Sequence, residues 1–330
     1  MNTVITLVFV LTISFSFIYI GRLVKIPKVV SLILAGLFMN VTALRNYFIE
    51  PNTGFLYNLG DLAVLFLMFF TGVGSSLSFL KKEERDCLFI GLFASIATLV
   101  LGFGVAFLFG FSFLASCIAG ISLSITDEGT TAKYLMDIKK LKTRLGSIMV
   151  GSGIVDDFIG LGLFIAITFG LKENYFRDDL FIILALVAFF AGLFLQSRLR
   201  KNWFSYFENF AMHCIIPFFF ISIAFYFNFS SLVFSILALI ALLLTAVVGK
   251  ILGTLLTKEL NNLTFDKLYL IGWGMNSRGA LGMVIALIAF KKNLIPVELY
   301  SSLVLITLMT TLIFPLAASW MIHRNQRIMD

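Results

Sequence analysis

Charge is what this sequence has least of. Only 13% of its 330 residues are Asp, Glu, Lys or Arg, against 60% that are hydrophobic. That balance excludes a soluble globular protein and reads as a polytopic membrane protein over nearly the whole length. Long polar stretches are missing too, so no soluble domain is expected. The three cysteines, Cys87, Cys117 and Cys214, sit in or beside apolar runs without ligand spacing. They read as packing residues and carry no redox information. No Gly-rich phosphate loop, metal-ligand cluster or nucleophilic triad is present. Covalent catalysis therefore has no support: the chain does not read as an enzyme, and no cofactor is expected. Residues 1–20 are apolar but lack a basic leading region and a small-residue cleavage site, so they are expected to be the first membrane helix. The net charge of +7 suggests no nucleic-acid partner once the placement of the charges is read.

What is there instead is a series of apolar runs, each near the ~17–25 residues that cross hydrocarbon. They fall at roughly 3–21, 28–45, 58–80, 87–110, 113–137, 145–171, 179–197, 207–229, 231–257, 267–290 and 297–322. The expectation is an all-α protein of about eleven transmembrane helices. Basic residues alternate between the loops. One set holds 17, among them Arg22, Lys81, Lys140, Arg198, Lys258 and Arg324. The other holds five: Arg45, Lys172, Arg177, Lys291 and Lys292. The positive-inside rule makes the rich side cytoplasmic, with the amino terminus outside and the carboxyl terminus inside. The expected location is the cell (inner) membrane.

Asp156 and Asp157 stand together in a run, Leu145 to Leu171, with no other charge. At about 1.5 Å per residue they lie roughly 17 Å in from Leu145, near the midplane. One charged side chain there costs on the order of 2.5–3.5 kcal/mol on insertion scales. Two adjacent carboxylates also repel, so a proton or a cation between them is favoured, which is what an ion carrier needs. A structural buried network is the alternative reading of the pair.

Two runs are interrupted by polar, Gly-containing stretches near their middles. The first break spans 124–131 and includes Ser124, Thr126, Asp127 and Glu128. The second spans 272–279 and includes Asn276, Ser277 and Arg278. The two runs cross in opposite directions. Paired interruptions in the two halves of a transporter point to its binding site, and unwound backbone at that depth must be buried in protein or line a cavity. Half-helix ends carry partial charge; Asp127 or Glu128 would compensate a positive end, Lys250 or Arg278 a negative one. The four acids and three bases within spans leave a formal charge of −1, compatible with one monovalent cation. Lys250 reads equally as a charge partner or a snorkelling lysine, Lys133 as a snorkeller, and Arg278 as a group satisfying carbonyls of the break. Gly249 and Gly253 form a GxxxG that reads as close helix packing.

At these residues the sequence resembles the monovalent cation/proton antiporters, in particular the Nap/Kef-type branch. Arg22, Pro27 and Ala35-Gly36 look like its first-loop signature, and Ser124-Ile-Thr126 like its broken-helix Ser-x-Thr. Asp156-Asp157 resembles the double aspartate of the sodium/proton members, and Gly249-Lys250 the helix bearing its paired lysine. Ala188 to Gly192, Pro217 to Ser222 and Arg278 to Gly282 resemble GAFLAG, PLFFVS and RGEVG segments. The resemblance implies an inverted-repeat fold with two crossed, interrupted helices. It would be one transmembrane transporter domain over 1–330, with repeats at about 1–172 and a shortened 179–323. It implies that Asp157 binds the cation and carries protons, while Asp156 pairs with Lys250. Thr126, Asp127 and Ser124 would add oxygen ligands, or in the case of Asp127 compensate a helix dipole. There are departures. Thr71 to Ser76 lack the usual acid, and Ala280 replaces the acid of RGE. Glu128 stands where the pattern has no acid and would compensate for that loss. The interval from Asp157 to Ala188 is too short for the linker helix and the first helix of the second repeat.

The expected function is secondary antiport of a monovalent cation, Na⁺ first with K⁺ and Li⁺ as alternatives, against H⁺ by alternating access. Partners would be the cation, protons and the lipid bilayer, with a homodimer among the expected assemblies. Two rivals remain: a sodium-coupled organic-solute symporter on a related fold, and a shortened, transport-dead homologue acting as a sensor or assembly partner.

Overall fold

The computed structural model describes residues 3–24, 26–75, 83–170, 180–196, 198–199, 201–234, 236–324 and 328–329. Lys81, Lys172 and Arg177, used above to orient the chain, lie outside the described residues, as do Lys25, Lys82, Arg200 and Arg327, which count among the 17 basic residues of the richer set, and the side chain of Lys201.

The described residues are helical throughout, with no strand among them. That follows from the solvent. In hydrocarbon every backbone polar group must be satisfied internally, and a helix does so within one segment. Each apolar run of the sequence coincides with one helix or a pair. The helices are α1 (Thr3–Leu23), α2 (Lys28–Met39), α3 (Thr53–Gly74), α4 (Glu84–Leu108), α5 (Phe113–Ser124), α6 (Glu128–Asp137), α7 (Arg144–Gly170) and α8 (Leu180–Leu195). They continue with α9 (Lys201–Cys214), α10 (Ile216–Tyr226), α11 (Phe229–Phe234), α12 (Ile236–Leu256), α13 (Phe265–Gly274), α14 (Ala280–Lys291) and α15 (Val297–Arg324). Seven helical stretches among the described residues are long and apolar enough to cross a membrane. Helices α2, α8 and α14 are shorter and equally apolar. The run at 28–45 is less regular than expected: α2 stops at Met39, and short helical turns follow from Thr42 to Asn52. At that stop the Asn40 side chain donates to the carbonyls of Ala224 (2.9 Å) and Phe227 (3.2 Å). The run at 207–229 divides before Pro217, whose ring cannot continue an ordinary helix ladder.

The chain forms two compact units. One comprises Met1–Gly74 and Leu180–Phe227. At its centre is α10, buried at every position from Ile216 to Phe225, as a helix apolar all round should be. It packs on α2 and α3, and α3 packs on α8. The α3–α8 contact is reciprocal. A Cβ on Gly72 would lie 2.0 Å from the Phe189 carbonyl oxygen, and one on Gly192 2.1 Å from that of Phe69. Only glycine permits that approach.

The other unit comprises Ser75–Asp179 and Asn228–Asp330. Its organising helix is α4, which packs against α12, α5 and α7. The Gly249/Gly253 pair is the face that α12 turns to α4, where added Cβ atoms would meet Thr98 at 2.7 Å and Ala94 at 2.4 Å. Small residues do here what they do in membranes generally: they let backbones approach where lipid offers no hydrophobic drive.

Candidate functional site

Both interrupted spans belong to the second unit, and their breaks cross each other. The helix pair α5/α6 is separated by Ile125–Asp127, and α13/α14 by Met275–Gly279. Both breaks are narrower than the polar stretches suggested. Glu128 to Thr131 are helical because Asp127 is the N-cap of α6, accepting from the Thr130 amide at 3.3 Å and from the Thr130 hydroxyl. Gly272 and Gly274 lie within α13, in close contact with Thr254 and Met149 respectively.

Non-helical backbone this deep needs partners, and each break supplies them to the other. The Asp127 amide donates to the Ser277 carbonyl at 2.8 Å. Thr131 Oγ1 donates to the Gly274 carbonyl at 2.9 Å, while Thr126 Oγ1 stands 3.1 Å from the Met275 carbonyl and shares its one proton between that oxygen and Asp156. Arg278, 2% exposed, reaches the carbonyls of Ile125 (3.2 Å) and Ala246 (2.6 Å). Its own carbonyl accepts from Thr311 Oγ1 at 2.9 Å. Arg278 thus meets backbone carbonyls, as one reading of the sequence had it.

Asp156 and Asp157 project from α7 into this crossing, 0% and 1% exposed, and their surroundings differ. Asp156 is saturated. Its Oδ1 accepts from the Thr126 amide at 3.0 Å, and its Oδ2 from Thr126 Oγ1 at 2.6 Å. It also ion-pairs with Lys250 Nζ, whose side chain is fully buried. Lys250 therefore does not snorkel, whereas Lys133 on α6 is exposed. Neither oxygen of Asp157 accepts a hydrogen bond from a hydroxyl, amide or ammonium group. The polar group facing it is the carboxyl of Glu128.

Ser124 is buried but gives its hydroxyl proton to the Ile121 carbonyl at 2.8 Å. Asp127 is engaged as a cap. Among the described residues no three His, Cys, Asp or Glu side chains are arranged to hold a metal ion. Sequence reasoning passed over Gly153 and Ser75. A Cβ on Gly153 would lie 3.2 Å from Cβ of Glu128, and Ser75 Oγ approaches Glu128 Oε1 at 3.5 Å. Gly153 was findable, being one helical turn from Asp157 on the same face. Ser75 was met only within Thr71 to Ser76, the stretch that lacks the family's usual acid.

A polytopic all-helical bundle with two crossed broken helices and buried carboxylates at the crossing defines a membrane transporter of ions. The sequence profile of one family, described as "Sodium/hydrogen exchanger, transmembrane", matches residues 7–210 and 182–324. The chain belongs to that family, and it is a multi-pass membrane protein. It is 25% identical to a Na⁺/H⁺ antiporter of Enterococcus hirae over 356 aligned positions, covering 90% of this chain and 92% of the relative. It is 24% identical to the Na⁺/H⁺-K⁺ antiporter GerN of Bacillus cereus, covering 88% of each. The structure of the sodium proton antiporter MjNhaP1 of Methanocaldococcus jannaschii superposes with a TM-score of 0.66, at 15% identity, over 98% of this chain and 97% of that one. This likeness shows that the chain shares the fold of that antiporter. Ninety per cent of 330 residues cannot fill 356 positions, so the alignment with the first relative places gaps in this chain. Only residues 171–179, outside the described residues, separate Gly170 from Leu180. That is too little chain for a further span of about 20 residues.

Proposed function

We propose that the protein exchanges a monovalent cation, Na⁺ before K⁺ or Li⁺, for protons by alternating access, with Asp157 as the group that holds cation and proton in turn. The observation that carries this reading is the unequal treatment of two adjacent carboxylates. Asp156 is filled by Thr126 and Lys250, while Asp157 is buried with no such donor. A carboxylate in that position gains from either a proton or a cation and cannot hold both on the same oxygens. Competition of this kind couples the two fluxes. The Asp156–Lys250 pair keeps a second carboxylate and an ammonium neutralised at the crossing. Removing one partner of such a pair is strongly unfavourable.

The test is proton flux in proteoliposomes with Na⁺, K⁺ and Li⁺ added in turn. Cation-driven flux in the wild type and its loss in a folded Asp157→Asn variant are expected, since a carboxamide neither titrates nor binds Na⁺ strongly. Undiminished exchange in the variant overturns the assignment of Asp157. A folded wild type without cation-dependent flux overturns the antiporter reading.

The charge pattern supports an inner-membrane location with the amino terminus outside. With Cys87, Cys117 and Cys214 replaced, a cysteine at Lys140 should react with an impermeant reagent only from the cytoplasmic side. One at Asn293 should react only from the opposite side, and the reverse pattern rejects the orientation.

A further inference from the structure

Glu128 opens α6 and is buried, yet α6 does not need it as a cap, because Asp127 already holds that position. Ser75 Oγ donates to its Oε1 at the long distance of 3.5 Å. Its carboxyl group faces that of Asp157, whose two oxygens meet no hydroxyl, amide or ammonium donor. The approach is built into α7. Gly153 lies one turn before Asp157, and its bare backbone lets the Glu128 stem settle beside it, where a methyl group would stand 3.2 Å from Cβ. The two buried cations of this region are committed elsewhere: Lys250 to Asp156, and Arg278 to the carbonyls of Ile125 and Ala246. Two facing carboxyl groups out of water repel strongly when ionised together, and a positive ion between them reverses the sign of that interaction.

We infer that Glu128 is a second carboxylate ligand of the transported cation, bridging it with Asp157, and that the pair selects Na⁺ and Li⁺ over K⁺. This rests on the antiporter reading above and adds the second ligand and the cation class. The physical reason for selectivity is field strength. Attraction to an anionic oxygen grows as the ion–oxygen distance shortens, so a second carboxylate rewards the smaller ion more and offsets its greater cost of dehydration. Hard cations of this kind take oxygen ligands, and Glu128, Asp157 and the Ser75 hydroxyl supply them.

The experiment compares wild type, Glu128→Gln and Glu128→Asp at one fixed pH, by two readouts. One is the apparent KM for Na⁺, Li⁺ and K⁺ in cation-driven proton flux. The other is equilibrium binding of the same ions to the detergent-solubilised protein, which does not require transport. Glu128→Gln is expected to weaken Na⁺ and Li⁺ by about tenfold or more, the factor that 1.4 kcal/mol gives, and K⁺ by less. Glu128→Asp, which keeps the charge but withdraws it, should fall between. Equal Na⁺ affinity and unchanged Na⁺/K⁺ preference in Glu128→Gln overturn the inference. Should that variant not fold, an unchanged affinity and preference in Glu128→Asp overturn it. A wild type that binds Na⁺ without exchanging it defeats the antiporter reading, and the binding series still decides the role of Glu128. A wild type that binds no monovalent cation defeats the inference as well.

Discussion

The two breaks in the helices share a depth and a crossing, but their polar groups do opposite work. In the second break the side chains serve backbone. Arg278 holds the carbonyls of Ile125 and Ala246, and Asn276 Nδ2 holds that of Gly272 at 2.9 Å. In the first break Thr126 turns toward the acids of α7, as does Glu128 at the start of α6. Their capping differs in the same sense. Asp127 caps α6 with its side chain, whereas the N-cap of α14 is Gly279, which has none. Gly279 sits where a Cβ would come within 2.7 Å of Asp127 Cβ, so the second break is kept bare to let the first one in. On the proposed function, the first break carries the chemistry and the second builds its housing.

The largest effect that would sharpen this contrast lies at Asp156 and Lys250. Asp156→Asn alone or Lys250→Met alone should cost about 3–5 kcal/mol, because each orphans a buried charge. The double variant should recover much of that loss. A double-mutant cycle of melting temperature in detergent checks it, and strictly additive losses would mean the two are not coupled. Next comes Arg278→Gln, which leaves the Ile125 and Ala246 carbonyls under-satisfied. The expected loss is about 1–3 kcal/mol for each carbonyl left without a partner, with Na⁺ affinity nearly unchanged in the protein that remains folded. A large fall in affinity at preserved stability would break the division between the breaks. The smallest effect is expected from Gly153→Ala. Its methyl presses on Glu128 without altering charge, so Na⁺ affinity should fall roughly two- to threefold, about half a kcal/mol. Binding titration reads it, and an affinity equal to wild type would separate Gly153 from the site.

Much of this was legible from residue order alone. The apolar runs coincide with helices because hydrocarbon thickness and backbone satisfaction leave a segment of that length little other choice. The interruptions showed as polar residues where apolar ones belong. Their edges did not show. Glu128 to Thr131 look like part of a break, yet a cap at Asp127 restarts the helix there. Gly272 and Gly274 look like breakers, yet both lie within α13, at points where Thr254 and Met149 come too close for a side chain. Lys250 was open between two readings, because a lysine eight or so residues from a span end is long enough either to snorkel or to turn inward.

The sequence by itself determined that this chain crosses a membrane many times, that two crossings are broken, and that two carboxylates sit in the hydrocarbon interior. These follow from composition and spacing, which local physics reads directly. Only the tertiary structure decided how the two adjacent aspartates divide, since the difference between them is made by Thr126, Lys250 and Glu128, residues 28 or more positions away in the chain. A carboxylate's role in a low-dielectric interior is set by the charges and donors within a few ångströms of it, and those neighbours are chosen by packing.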